Sequence, residues 1–243
     1  MAVNKKLKQL WELLLQLIFP LRCPVCDEIV KPFGQKICPA CRKRFKYVTS
    51  PWCFKCGKQL EDKEQEYCAD CKRIRHLFIG GRALYEYESV SASIYRFKYH
   101  NRREYADFFG EEVSLVLGQY ISMICPDALI PIPLHSAKRR KRGYNQAQIL
   151  AKSISRYTGV PVYDKILIRT RNTIPLKQLN PQERQNNLKK AFNIRGNDVK
   201  LKTVIIIDDI YTTGSTMDAA ASVLLEAGVR NVYFMTLACG RGL

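Results

Sequence analysis

Hydrophobic positions along this chain change period several times, and each change marks an element. Leu7, Leu10, Trp11, Leu14 and Ile18 recur at helical spacing, which predicts an amphipathic helix over residues 1–19. Ala83 to Tyr87 read as a strand, and Ser89 or Ser91 caps a short helix carrying Ile94, Phe97 and Lys98. Phe108, Phe109, Val113, Leu115, Val116 and Leu117 mark a second helix. Ala128 to Ile132 and Val162 to Ile168 read as strands, separated by a helix that opens at Gly143-Tyr144-Asn145-Gln146-Ala147 and runs to Tyr157. Val204 to Ile207 are β-branched apolar residues in an unbroken row, the pattern of a strand buried on both faces of a parallel sheet. A helix over Met217 to Ala227 and a strand over Val232 to Leu237 come last. Strands alternating with helices predict an α/β fold, a mainly parallel sheet flanked by helices.

Residues 20–76 break this rhythm. Eight of the chain's 10 cysteines form Cys-x-x-Cys pairs: Cys23/Cys26, Cys38/Cys41, Cys53/Cys56 and Cys68/Cys71, each starting 15 residues after the last. A Cys-x-x-Cys turn offers two adjacent thiolates, so two turns close a tetrahedral zinc site and four turns close two. Consecutive pairing groups Cys23, Cys26, Cys38 and Cys41 on one ion and Cys53, Cys56, Cys68 and Cys71 on the other. The spacing equally permits interleaved pairing. Either way four cysteines saturate each ion, so the sites are structural. Pro24, Pro39 and Gly57 suit tight knuckles, and so small a ribbon module needs its metal to fold. His76 lies close behind Cys71, but eight cysteines already fill two sites. Cys125 and Cys239 lack partners at metal spacing and read as buried thiols. Three segments result: 1–19, a helix; 20–76, a double zinc ribbon; 80–243, an α/β domain.

Charge sharpens this picture. The chain of 243 residues carries a formal net charge of +18, and residues 133–195 hold 15 basic and 2 acidic side chains, net +13. That concentration implies a polyanionic ligand or partner, a diphosphate or a nucleic acid. The first segment has the charge-then-apolar order of a signal peptide, but Glu12 and Gln16 interrupt it and no small-residue cleavage site comes after it. It is too short to span a bilayer, so a packing helix in a cytoplasmic protein is expected, with weak contact at the inner membrane face as the lesser reading.

Candidate chemistry gathers after the Val204 strand. Asp208 and Asp209 stand at its carboxyl end, where open α/β sheets bind ligands. Thr212, Thr213, Gly214, Ser215 and Thr216 then form a small-residue turn into a helix, a ready anion site of backbone N–H groups. This is neither a Walker A loop nor a dinucleotide fingerprint, since both of those motifs are missing. A second stretch, Pro131-Ile132-Pro133-Leu134-His135, ends the Ala128 strand in a rigid turn. The cations Lys138, Arg139, Arg140, Lys141 and Arg142 come next, suited to a diphosphate. Between Arg169 and Arg184 the chain is long, polar and basic, including Arg171 and Gln178, and is expected to be a mobile lid. Asn180, Pro181 and Glu183 form a capping box within it.

The turn at Asp208 resembles the 5-phosphoribosyl-1-diphosphate (PRPP) loop of type I phosphoribosyltransferases. Residues 20–243 as a whole resemble the ComF family. The likeness rests on Phe19-Pro20-Leu21-Arg22-Cys23-Pro24-Val25-Cys26, on Ile132–His135 with Arg142–Ala147, on Arg171, Thr173, Gln178, Arg184, Asn187, Ala191 and Phe192, and on the Asp208-Asp209 stretch. The resemblance implies a zinc module on a type I phosphoribosyltransferase fold. It implies that Asp208 and Asp209 bind the ribose hydroxyls with magnesium, and that Thr212 to Thr216 hold the 5-phosphate. Pro133, Leu134, His135, Arg139 and Arg142 would face the diphosphate, and Arg169, Arg171, Gln178 and Arg184 would belong to a flexible hood. Tyr211 stands where many relatives carry a smaller residue and would border the nucleobase side. The family's association with competence implies single-stranded DNA and DNA-translocation proteins as partners. Two functions stay open: a PRPP-binding module in DNA uptake, or an active transferase acting on a nucleobase or amine.

Overall fold

The computed structural model describes residues 20–170, 191–195 and 200–240. The predicted helix over 1–19, the capping box at Asn180 and the hood residues Arg171, Gln178 and Arg184 lie outside them.

Four parallel strands form the central sheet: β1 (Gly80–Glu86), β2 (Ala128–Pro131), β5 (Thr203–Tyr211) and β6 (Asn231–Cys239), in the order β1-β6-β5-β2. Val204 pairs with Val232 on one side and Ala128 on the other, so the β-branched run lies inside the sheet, as its composition requires. The strand expected over Val162 to Ile168 divides. Val162 makes one parallel bridge to Leu129. The polar turn at Asp164 and Lys165 then redirects the chain, with Asp164 held by Gln148 at 2.6 Å and Lys152 at 3.3 Å. Beyond the turn lies β3 (Leu167–Arg169), antiparallel to β4 (Phe192–Ile194).

Helices α3 (Tyr87–Tyr99), α4 (Tyr105–Ile124) and α6 (Gln146–Thr158) cover one face of the sheet with Leu84, Leu129, Ile205, Ile207 and Met235. Helix α7 (Ser215–Glu226) covers the other, with Ala83, Ile130, Val204, Ile206 and Phe234. Helix α3 begins at Tyr87 rather than at a serine cap. Ser89 instead donates to Glu86 O at 2.9 Å and accepts from Lys46 N at 3.1 Å, joining the helix to the ribbon segment.

The ribbon segment is one module built twice. Antiparallel bridges Arg22–Ile29 and Trp52–Gln59, and short helices α1 (Pro39–Arg42) and α2 (Ala69–Arg73), repeat 30 positions apart. The left-handed position is Asp27 in the first module (φ 62°) and Gly57 in the second (φ 70°). A Cβ at Gly57 would sit 2.5 Å from Gly81 O, so only glycine fits there. Asp27 has room, and its carboxylate takes Arg102 Nε at 2.6 Å, Arg102 Nη2 at 3.0 Å and the Tyr105 hydroxyl at 2.6 Å. The modules divide the sheet between them. Val30, Ile37 and Phe45 of the first enter the α3–α4 core. Cys53, Cys56, Leu60 and Cys68 of the second enter the α7 core. Among the described residues no helix is long and apolar enough to cross a membrane.

Candidate functional site

Asp208 and Asp209 lie at the carboxyl end of β5, between β2 and β6. Asp209 is buried. The turn beyond reaches α7 through Gly214, which is left-handed at φ 81° and serves as the helix N-cap. Space reinforces conformation: a Cβ there would meet His76 Cε1 at 2.7 Å and the Tyr211 hydroxyl at 2.8 Å. The first-turn N–H groups of α7 therefore come directly after the small-residue turn, with Thr213 Oγ1 and Ser215 Oγ 2.8 Å apart beside them.

Cations surround the aspartates. Lys98, near the end of α3, places Nζ 2.5 Å from Asp209 Oδ2. Burial lowers Lys98 to about 8, opposed by Asp208 and assisted by Arg142 and Lys138. Burial raises Asp208 to about 6, against the pull of Lys98, Arg169 and Arg142. The charge balance thus involves both aspartates, the contact being with Asp209. The cation run is itself a helix, α5 (Ser136–Arg142), ahead of the one that opens at Gly143–Ala147. Its side chains radiate accordingly. Lys138 and Arg142, four positions apart and so on one helix face, sit within electrostatic reach of the pair, and burial, then Arg169 and Arg142, lowers Lys138. Lys138, Arg139, Arg140 and Lys141 are all exposed, and Arg142 is half-buried. Among the described residues no hydrogen bond or ion pair links Arg139 to the aspartates.

The Pro133–His135 loop leads from β2 into α5, and His135 Nδ1 accepts from Ala137 N at 3.3 Å. The Gly143–Ala147 stretch is its bracket. Asn145 donates to Ile132 O at 3.0 Å and accepts from Ala147 N at 3.1 Å, joining loop to helix. The Tyr144 hydroxyl donates to Phe97 O, and Arg142 donates to Gln146 Oε1. Arg169 projects from β3, its guanidinium 5.4 Å from the Phe192 ring centre.

Sequence reasoning passes over three residues. Lys98 reads as one more helical cation; its signal is the spacing that puts it next to Phe97 on the buried side. His76 reads as a spare metal ligand. It is 5% exposed, and its Nδ1 lies 2.7 Å from Asp218 Oδ2 in the first turn of α7. Leu77 N donates to the other oxygen of Asp218 at 2.8 Å. Tyr211 is expected beside a nucleobase. It is 2% exposed and stacks on Phe234 with ring centres 4.7 Å apart. Alternation along β5 reverses just before it: Ile210 joins the core of Ile205 and Ile207, and Tyr211 that of Val204 and Ile206. The neighbouring β6 turns over at the same level, where Thr236 Oγ1 donates to Ala238 O at 3.1 Å.

The cysteines group consecutively. In each set of four, Cys23/Cys26/Cys38/Cys41 and Cys53/Cys56/Cys68/Cys71, the sulfurs lie within 4.8 Å of one another. Cys56 and Cys68 Sγ are 3.7 Å apart, close to the spacing of about 3.8 Å that tetrahedral Zn–S bonds of about 2.3 Å impose. Burial, then the Cys26 and Cys23 sulfurs, push the Cys41 thiol up to about 12. Crowded thiols of this kind suit a soft divalent cation that stabilises them as thiolates.

The double zinc ribbon domain profile matches residues 14–72, and the phosphoribosyl transferase domain profile matches residues 140–242. Competence protein ComFC of Bacillus subtilis is 31% identical over 234 residues, covering 87% of this chain and 91% of that protein. The chain belongs to the ComF family. Competence protein F of Haemophilus influenzae, another such relative, is 29% identical over 235 residues, with 90% of this chain and 97% of that one covered. DNA utilization protein YhgH of Escherichia coli O157:H7 is 30% identical over 151 residues, covering 61% of this chain and 66% of its own length. The ComF fold here is thus a phosphoribosyltransferase-type parallel sheet carrying an N-terminal double zinc ribbon.

Proposed function

We propose that the sheet-edge site binds magnesium-PRPP, and that the protein uses this site while handling single-stranded DNA in natural transformation. The observation that carries the reading is the meeting of two carboxylates, a glycine-initiated helix N-terminus and four cations at the end of one strand. Asp208 and Asp209 take the ribose hydroxyls and magnesium. Thr212, Thr213, Gly214, Ser215 and Thr216 take the 5-phosphate through backbone N–H groups. Pro133, Leu134 and His135, with Arg139 and Arg142, face the diphosphate, and Arg169, Arg171, Gln178 and Arg184 close over it as a hood. Lys98 holds Asp209 in place. Asp208 and Asp209 would hold the magnesium, which would supply charge neutralisation on the diphosphate. The chain's residues orient the ribose, and in the turnover reading they would also stabilise the charge that develops there.

Isothermal titration with magnesium-PRPP tests the reading. The expected result is a saturable one-to-one isotherm that Asp208→Asn with Asp209→Asn abolishes. An indifferent double variant, or no heat at all, removes the proposal. Turnover on a nucleobase or amine is the alternative reading, since the PRPP-binding parts of a transferase site are all assigned while no residue is assigned to the acceptor. Diphosphate release in a screen of nucleobases and amines decides it.

DNA as a partner is supported by the net charge of +13 over residues 133–195, by the exposed cations of α5, and by relatives named for competence and DNA utilization. A strand held through several phosphates loses affinity steeply with salt, roughly tenfold or more between low and moderate salt. The reading includes DNA-translocation proteins as further partners and a cytoplasmic location, peripheral at the inner membrane face.

A further inference from the structure

Helix α3 presents an aromatic strip outward. Tyr95 is 57% and Tyr99 62% exposed, one helical turn apart, with ring centres 5.0 Å from each other. His100, at the helix C-cap, meets Tyr95 edge-on at 5.4 Å. Exposed rings in contact bury nothing in the core, and each offers a flat π-surface. The strip borders cations. The Arg142 guanidinium lies 5.0 Å from the Tyr99 ring centre, and the exposed Arg139, Arg140 and Lys141 precede it on α5. Exposed aromatic rings beside a guanidinium on a cation-rich helix fit one class of polymer: a single nucleic-acid strand, its bases on the aromatics and its phosphates on the cations. A duplex hides its base faces and cannot use the rings.

Arg142 also belongs to the sheet-edge site. It donates to Gln146, and its charge acts on both Asp208 and Lys98. One residue before Tyr99, and so about 100° round the helix, Lys98 reaches Asp209. The strip and the site thus share a wall two residues wide, with one guanidinium facing both.

We infer that Tyr95, Tyr99 and His100 form a stacking platform for single-stranded nucleic acid, and that Arg142 couples it to the phosphate site by competition. A guanidinium drawn to the diphosphate of bound PRPP is withdrawn from a strand phosphate on the Tyr99 side. The two ligands therefore weaken each other. This inference rests on the proposed reading of the sheet-edge site as a PRPP site.

The test uses the full chain and two labelled 20-residue probes, oligothymidylate and an abasic strand of the same length, in fluorescence anisotropy at fixed salt. Oligothymidylate is expected to bind more tightly than the abasic strand by about tenfold, the value of a stacked base or two. Tyr95→Ala with Tyr99→Ala should erase that difference. Both side chains are exposed, and a thermal melt checks that the variant is folded. Saturating magnesium-PRPP should weaken oligothymidylate binding by about fivefold or more, and linkage requires oligothymidylate to weaken PRPP by the same factor. Arg142→Gln should remove that mutual effect. Equal affinity for the two probes overturns the platform and leaves plain polyanion attraction. If PRPP binds by titration yet leaves strand affinity unchanged, the coupling is wrong and the PRPP reading stands. If PRPP does not bind, the PRPP reading falls and the coupling with it, while the two probes still decide the platform.

Discussion

His76 Nδ1 and Asp218 Oδ2 stand 2.7 Å apart, and that contact fixes the segment leaving the second zinc module against the helix behind the phosphate turn. The His76 ring lies on Phe78 at 4.7 Å, Phe78 meets Phe234 at 4.8 Å, and Tyr211 stacks on Phe234. Together these rings make the floor under Gly214. His76→Ala removes the ring that Gly214 rests on and leaves Asp218 with one partner fewer. A loss of about 1–3 kcal/mol is expected, the cost of losing one hydrogen bond to a half-buried carboxylate and opening a small cavity, along with weaker magnesium-PRPP binding. Chemical denaturation and titration calorimetry measure the two. Native PRPP affinity in the folded variant would show that the floor does not shape the turn.

Lys98 and Asp209 form a pair whose members are costly alone. Lys98→Met leaves a buried carboxylate without its cation, and Asp209→Asn leaves a buried lysine without its anion. Each single variant should melt lower than the parent. The double variant should recover part of the loss, giving a coupling energy of about 0.5–3 kcal/mol in a double-mutant cycle. Strictly additive losses would mean that the 2.5 Å contact contributes nothing.

Binding at the site should be bell-shaped in pH. Asp208, raised to about 6, is protonated below that value and no longer serves magnesium or a ribose hydroxyl. Lys98, lowered to about 8, loses its charge above it. Magnesium-PRPP affinity is therefore expected to peak between these limits, and Asp208→Asn should flatten the acid limb. For folding, the raised Asp208 means that the native state holds its proton more tightly. Its contribution to stability is full below the usual carboxylate value of about 4 and declines as pH rises through about 6. Calorimetry and melting curves across pH 4 to 9 read both effects, and a level affinity profile would contradict the assignment.

Elemental analysis should find about two zinc ions per chain. Because Cys53, Cys56 and Cys68 belong to the same core as Val204 and Phe234, a chelator should loosen the sheet as well as the ribbons. Hydrogen exchange is the discriminating readout. Fast exchange in β1 and α7 after chelation is expected; exchange confined to residues 20–76 would show that the ribbons fold apart from the rest.

The sheet is legible in the sequence because burial and period agree in it: Val204 to Ile207 are apolar without a break, and no surface strand is written that way. The zinc ligands are legible because their chemistry depends on spacing within one short turn. Their grouping is not, since it depends on the 30-residue module rather than the 15-residue period. The cations of α5 are visible as charge but not as geometry; a helix faces only every third or fourth of them toward one side. Lys98, His76 and Tyr211 are harder because their partners lie far off in sequence. His76 and Asp218 are 142 positions apart, and no local pattern connects them. Tyr211 is misplaced by a reversal of alternation that β5 and β6 undergo together.

Each zinc ribbon contributes to the core on one face of the sheet. The ribbons are synthesised before the strands they pack against, and a chain without its metal loses packing from both cores at once. Proteases in a cell act on the exposed population. The steady-state level of this protein would then track the zinc supply, so metal starvation would deplete it by degradation without any change in its synthesis.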